Sequence, residues 1–177
     1  MGSTALGRFY ESRKRARRIA SIATDRRLRP LTYVDIEPPL HAALAAYVSA
    51  WEAYVESVIL EFLDVLISTS NPTASAFAKT LRDEAERAIQ RFNTPNFDES
   101  RNLIYRFTGF DPYSEMNSAR LGLNSNQAQA RLNEVLRVRH AFAHGKPVPN
   151  LAWLTRYSQQ SRLSKKAIKD VEFLISD

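Results

Sequence analysis

The stretch PPLHAALAAYVSAWEAYVESVILEFLDVL, residues 38–66, decides the fold. Its apolar residues fall at Leu40, Leu44, Tyr47, Val48, Trp51, Val55, Val58, Ile59, Phe62, Leu63 and Leu66, separated by steps of one, three or four. That spacing winds a single apolar stripe along a helix, with the polar residues on the opposite side. Pro38 and Pro39 are expected to open the helix, because a first turn has no use for the N–H that proline lacks. A span of about 30 residues, on the order of 45 Å, is the length of a bundle helix.

The rest of the chain repeats the pattern at shorter range. Residues 4–27 form a second amphipathic segment, with Leu6, Phe9, Tyr10, Ile19, Ile22 and Ala23 as its apolar stripe and Pro30 as its stop. Asn71-Pro72 ends the long helix. Thr73–Phe92 follows as a helix, and then the loop Asn93-Thr94-Pro95-Asn96. A short helix over 97–107 is capped by Asp98 or Asn96, and residues 109–123 are an irregular, mobile insert rich in Gly, Pro, Ser and Asn. Asn124 or Ser125 caps another helix, which Gly145 stops. Residues 151–160 are expected to turn briefly helical and present Trp153. Ser164 caps a last helix carrying Ile168, Val171, Leu174 and Ile175. No alternating run of useful length argues for a strand. The fold class is all-α: an up-and-down helical bundle with a long second helix and a basic N-terminal helix. At 177 residues it is expected to be one domain, with residues 1–30 as the basic helix and 35–177 as the bundle.

Composition narrows the function. The absence of cysteine excludes disulfides, zinc fingers and thiol nucleophiles. The apolar run 40–66 carries His41, Glu52, Glu56, Glu61 and Asp64, so no membrane span is expected. The N-terminus is too charged for a secretory leader, and a soluble cytoplasmic protein is expected. The net charge of +6 suits a polyanionic partner, although it also serves solubility. In the first helix, Arg13, Lys14, Arg17 and Arg18 lie in a run of nine basic residues that meets only Glu11 and Asp25. This is either a groove wall for phosphates or a solvated helix face.

The chemistry concentrates at Arg137-Val138-Arg139-His140-Ala141-Phe142-Ala143-His144-Gly145, which holds two of the three histidines. Imidazole titrates near neutral pH and can accept or donate a proton. A guanidinium keeps its charge and forks two donors onto phosphate oxygens. The bland alternative is that Arg and His near a helix end satisfy its last carbonyls and dipole. His140 and His144 are four apart and share a helix face, as metal ligands do. Ala141 stands where a metalloprotease would have Glu, however, and a third ligand would have to be a carboxylate, so no metal is assigned.

An Arg, four residues and a His at a helix end before Gly is the signature of HEPN domains. Trp51-Glu52-Ala53-Tyr54 in the long helix, and Phe92-Asn93-Thr94-Pro95 followed by a short helix and Gly109-Phe110-Asp111, resemble the same superfamily. The similarity is to the RiboL-PSP-HEPN group and covers roughly residues 35–177, with the basic helix matching less clearly. The resemblance implies an endoribonuclease that needs no metal or other cofactor. Its 2′-hydroxyl chemistry leaves a 2′,3′-cyclic phosphate and a 5′-hydroxyl. Arg139 and His144 would be catalytic, His140, Arg137 and Glu52 auxiliary, and Arg13, Lys14, Arg17, Arg18 and Lys146 would bind RNA. Residues five apart on a regular helix differ by about 140° in azimuth, so Arg139 and His144 share no face unless the helix end distorts. A homodimer with a composite cleft resolves this, because each copy brings its own pair. A toxin-like or antiviral-defence role, restrained by an antitoxin or sensor protein, is implied by resemblance alone. Some HEPN relatives only bind or dimerise, so a non-catalytic module for nucleic acid or protein is the alternative.

Overall fold

The structure, a computed structural model, describes residues 3–25, 27, 32–92, 96–114 and 116–176. Among them the chain forms helices α1 (Thr4–Ile22), α2 (Tyr33–Thr69), α3 (Pro72–Gln90), α4 (Phe97–Thr108), α5 (Ser125–Ala143) and α6 (Lys165–Ser176). A 3-10 turn (Ala119–Leu121) precedes α5, and strands β1 (Thr155–Tyr157) and β2 (Gln160–Arg162) precede α6. The all-α bundle class holds. The proposed stop at Pro30 and the Asn93-Thr94-Pro95 loop lie outside the described residues.

Two expectations are corrected. First, α2 begins at Tyr33, so Pro38 and Pro39 sit inside it. The Asp35 carboxylate reaches back to the Thr32 amide (2.8 Å) and hydroxyl (2.7 Å), and this local cap starts the helix early. Each proline then removes one helical hydrogen bond close to the N-terminus. Second, residues 155–162 form a hairpin instead of a helical turn, with Thr155 opposite Arg162 and Tyr157 opposite Gln160. Ser158 adopts φ 55°, which closes a two-residue turn without the Gly or Asn that would have announced it.

The chain divides into two compact units. The first takes Met1–Phe9 and Trp51–Glu115. Trp51, Val55, Ile59, Leu63, Phe97, Leu103, Ile104 and Phe107 are buried. Glu61 caps the start of α1, accepting from the Thr4 (2.9 Å) and Ala5 (2.8 Å) amides and from the Ser3 hydroxyl (2.9 Å). These bonds, the Ala5 amide first, hold its carboxyl below the usual range. Asn71 caps α3, and Asn96 with Glu99 forms a reciprocal capping box on α4. Arg82 bridges Asp64 (2.5 Å) and Glu86, while Arg106 reaches Glu84 (3.2 Å). Tyr113 lies edge-on to Phe97, with ring centres 4.7 Å apart.

The second unit takes Tyr10–Ala50 and Met116–Asp177 and carries the Arg-x4-His segment. Leu40, Ala43, Leu44, Tyr47 and Val48 of α2, Leu132, Val135 and Val138 of α5, and Ile168, Val171 and Leu174 of α6 form its core. Asn124 and Gln127 cap α5 reciprocally, and Ser164 caps α6 through the Ala167 amide (3.2 Å). The stripe of α1 differs from expectation. Phe9 and, just past the helix, Ala23 are buried as expected, but Leu6, Tyr10 and Ile22 are exposed, and Ala5 and Ala16 are buried in their place. A reading weighted by apolar size misses these two alanines.

Candidate functional site

Helix α5 stays regular through Ala143 and ends in a Schellman cap. The Gly145 amide donates to the Phe142 carbonyl (3.1 Å) and the Lys146 amide to the Ala141 carbonyl (2.8 Å). Closing both bonds requires the left-handed conformation of Gly145 (φ 61°). His144 therefore occupies a fixed C-cap position, its amide bonded to the His140 carbonyl (3.1 Å). The helix end does not distort, so Arg139 and His144 keep the separation in azimuth that a regular helix gives them.

The cap brings His140 and His144 together, their ring centres 4.2 Å apart and tilted by 46°. His140 is half-buried and His144 exposed. Burial, then the nearby His144, Lys146 and Arg139, lowers the His140 imidazole below its ordinary value. A neutral imidazole beside a cluster of cations is a proton acceptor available near neutral pH. Among the described residues no carboxylate pairs with Arg137, Arg139 or Lys146. The end of α5 is thus a patch of unneutralised positive charge around two imidazoles. Such an arrangement can hold a phosphate and move a proton without rearranging ion pairs of its own. Among the described residues no group of three or more His, Cys, Asp and Glu could hold a metal ion.

The third histidine joins the same segment. His41 of α2 is buried and lies flat on Phe142, with ring centres 3.9 Å apart and planes 6° from parallel. Its Nε2 is 3.6 Å from Glu37 Oε1, and its Nδ1 is buried with no hydrogen-bond partner. Burial lowers its pKa against the pull of Glu37, which keeps the ring neutral. Phe142, although apolar, is 46% exposed, with its ring stacked on His41. A histidine on the apolar face of α2 was the available signal, but sequence spacing could not say which ring it would meet.

The expected RNA-binding cations divide. Lys14 pairs with Glu11 (2.5 Å) and Arg17 with Glu172, so carboxylates already engage both. Arg13 lies over the Tyr10 ring at 5.1 Å. Arg18 is exposed, as are Arg137 and Lys146. Glu52 belongs to the first unit and is half-buried.

A family model, RiboL-PSP-HEPN, matches residues 11–175. The chain belongs to the RiboL-PSP-HEPN family. The match reaches back to Glu11, so it takes in most of the basic helix, which had been the less certain part of the resemblance. No curated protein and no solved structure matches the chain. Within this HEPN module the Arg-x4-His segment is the capped end of α5 described above. Among the described residues no helix is long and apolar enough to cross a membrane.

Proposed function

We propose that this HEPN domain is a metal-independent endoribonuclease with Arg139 and His144 as its catalytic pair. The observation that carries the reading is the cap of α5. It fixes His144 against a neutral His140, within a cationic patch that no described carboxylate neutralises. One imidazole takes the proton of the RNA 2′-hydroxyl as its oxygen attacks the adjacent phosphorus. Arg139, assisted by Arg137 and Lys146, balances the charge gathering on the phosphate oxygens. A second imidazole protonates the departing 5′-oxygen, so a 2′,3′-cyclic phosphate and a 5′-hydroxyl result.

The regular geometry of α5 favours a homodimer, because one copy cannot turn Arg139 and His144 onto a single helix face. Two copies related by a two-fold axis bring two of each to one cleft. Such an enzyme fits a toxin-like or antiviral-defence effector acting on RNA in the cytoplasm, restrained by an antitoxin or sensor protein. A non-catalytic binding module is the other reading, and the unneutralised cations would serve it equally well.

The test is incubation of a labelled single-stranded RNA in excess EDTA, with analysis of the product ends. Cyclic phosphate termini, and no scission of the same strand made with 2′-deoxy sugars, support the enzyme. RNA that is bound and left whole supports the module. Light scattering that finds a monomer at working concentration overturns the composite cleft.

A further inference from the structure

A second feature of the second unit lies at the hairpin and the start of α6. The Arg162 guanidinium lies over two rings, 4.3 Å from the centre of Tyr33 and 4.4 Å from that of Tyr157. Two rings thus pack on one guanidinium and restrain it, while its charge stays available to an anion. The three side chains line an open groove of about 620 Å³, together with Lys165 and Lys166. Among the described residues no carboxylate pairs with Arg162, Lys165 or Lys166. Tyr157 is 63% exposed, which leaves part of its ring open to solvent.

Folding alone does not account for this arrangement. Lys165 and Lys166 are the first two residues of α6, where the helix dipole opposes positive charge. Glu37 accepts from the Tyr33 hydroxyl (3.4 Å) and also faces His41. Tyr33 is pushed up to about 12, chiefly by burial, so it stays a neutral donor. An anion in the groove would balance three cations that the protein leaves unbalanced, and an unpaired base has the open part of the Tyr157 ring to lie on.

We propose that this groove binds single-stranded RNA, with phosphates on Arg162, Lys165 and Lys166 and a base stacked on Tyr157. That the polyanion is RNA rests on the reading of the chain as an RNA-acting HEPN module. The groove also touches the α5 end through a chain of contacts: Arg162 on Tyr33, Tyr33 to Glu37, Glu37 facing His41, and His41 on Phe142. The proposed strand site and the segment proposed to cut it are thus linked by successive contacts within one unit.

The experiment measures binding of a fluorescein-labelled oligouridylate by anisotropy over a salt series. The full chain carries His144→Ala, so that no cleavage intervenes. Tyr157→Ala should weaken binding by about tenfold, the scale of one lost stacked base, without changing the salt dependence. Lys165→Gln with Lys166→Gln should flatten the slope of log K against log salt by about 1.4, at roughly 0.7 per phosphate contact on a single strand. These side chains are exposed, so loss of folding is not expected; unchanged circular dichroism confirms it. Unchanged affinity and slope in both variants would overturn the proposal. So would equal affinity for duplex RNA, whose paired bases cannot reach Tyr157. Cleavage is scored separately with His144 intact. An RNA-binding groove in a chain that never cuts would refute the nuclease and leave the groove standing, and the converse result would do the opposite.

Discussion

Two regions of this protein carry clustered positive charge, and they use it differently. Along α1, Lys14 is bonded to Glu11 within the helix and Arg17 to Glu172 of α6, so part of the charge is taken up in ion pairs. At the end of α5, Arg137, Arg139 and Lys146 have no carboxylate partner among the described residues, and they surround two imidazoles in contact. Arg13 and Arg18 of α1 also have no carboxylate partner among the described residues, so what sets the end of α5 apart is the pair of imidazoles within its cations.

The largest effect should come from breaking the α5 cluster. Replacing His144 or Arg139 by Ala should lower the cleavage rate by about 10²–10⁴-fold, the usual range for loss of an acid–base group or a charge-stabilising donor. Single-turnover kinetics at saturating RNA checks this. Gly145→Ala should cost about 1–2 kcal/mol, because alanine is strained in the left-handed conformation that closes the cap, although nothing crowds its Cβ. Urea unfolding measures the loss, and a Gly145→Asn variant should recover part of it.

The contrast with α1 predicts a smaller effect of another kind. Arg17→Ala should reduce stability by up to about 1 kcal/mol through loss of the exposed pair with Glu172, and high salt should shrink the difference. Arg139→Ala should leave the melting temperature nearly unchanged while removing activity. If the two variants exchange these behaviours, the comparison is wrong.

The pH dependence sharpens it further. His41 and His140 both have folded pKa values below the ordinary 6.5. As pH falls through that value, the unfolded chain takes up protons that the folded chain refuses, so stability should decline on the acid side and be restored above it. His41→Phe keeps a ring on Phe142 and removes the titration, so it should flatten that decline. Urea midpoints collected across the range give the slope.

Much of this was legible in the residues themselves. The steps of three and four along residues 40–66 define α2, and Gly145 defines the stop of α5, because helix period and left-handed caps are local properties. The Arg-x4-His segment was legible for the same reason, since its spacing and its end lie within one helix. Three features were not. The early start of α2 depends on a side chain reaching back from Asp35 to Thr32, which overrode the usual placement of proline. The hairpin strands are three residues long, too short to alternate visibly, and their turn uses Ser158-Gln159. The stacking of His41 on Phe142 and of Arg162 on Tyr33 joins residues about a hundred or more apart, and only tertiary packing brings them together.

The central proposal is that the capped end of α5, set against that of a second copy, cuts RNA without a metal. The most direct measurement sets wild type beside His144→Ala on one labelled single-stranded RNA in excess EDTA, followed by identification of the new 3′ ends. The account predicts scission by wild type alone, with 2′,3′-cyclic phosphate ends. Equal scission by both proteins, or scission that EDTA abolishes, would contradict it.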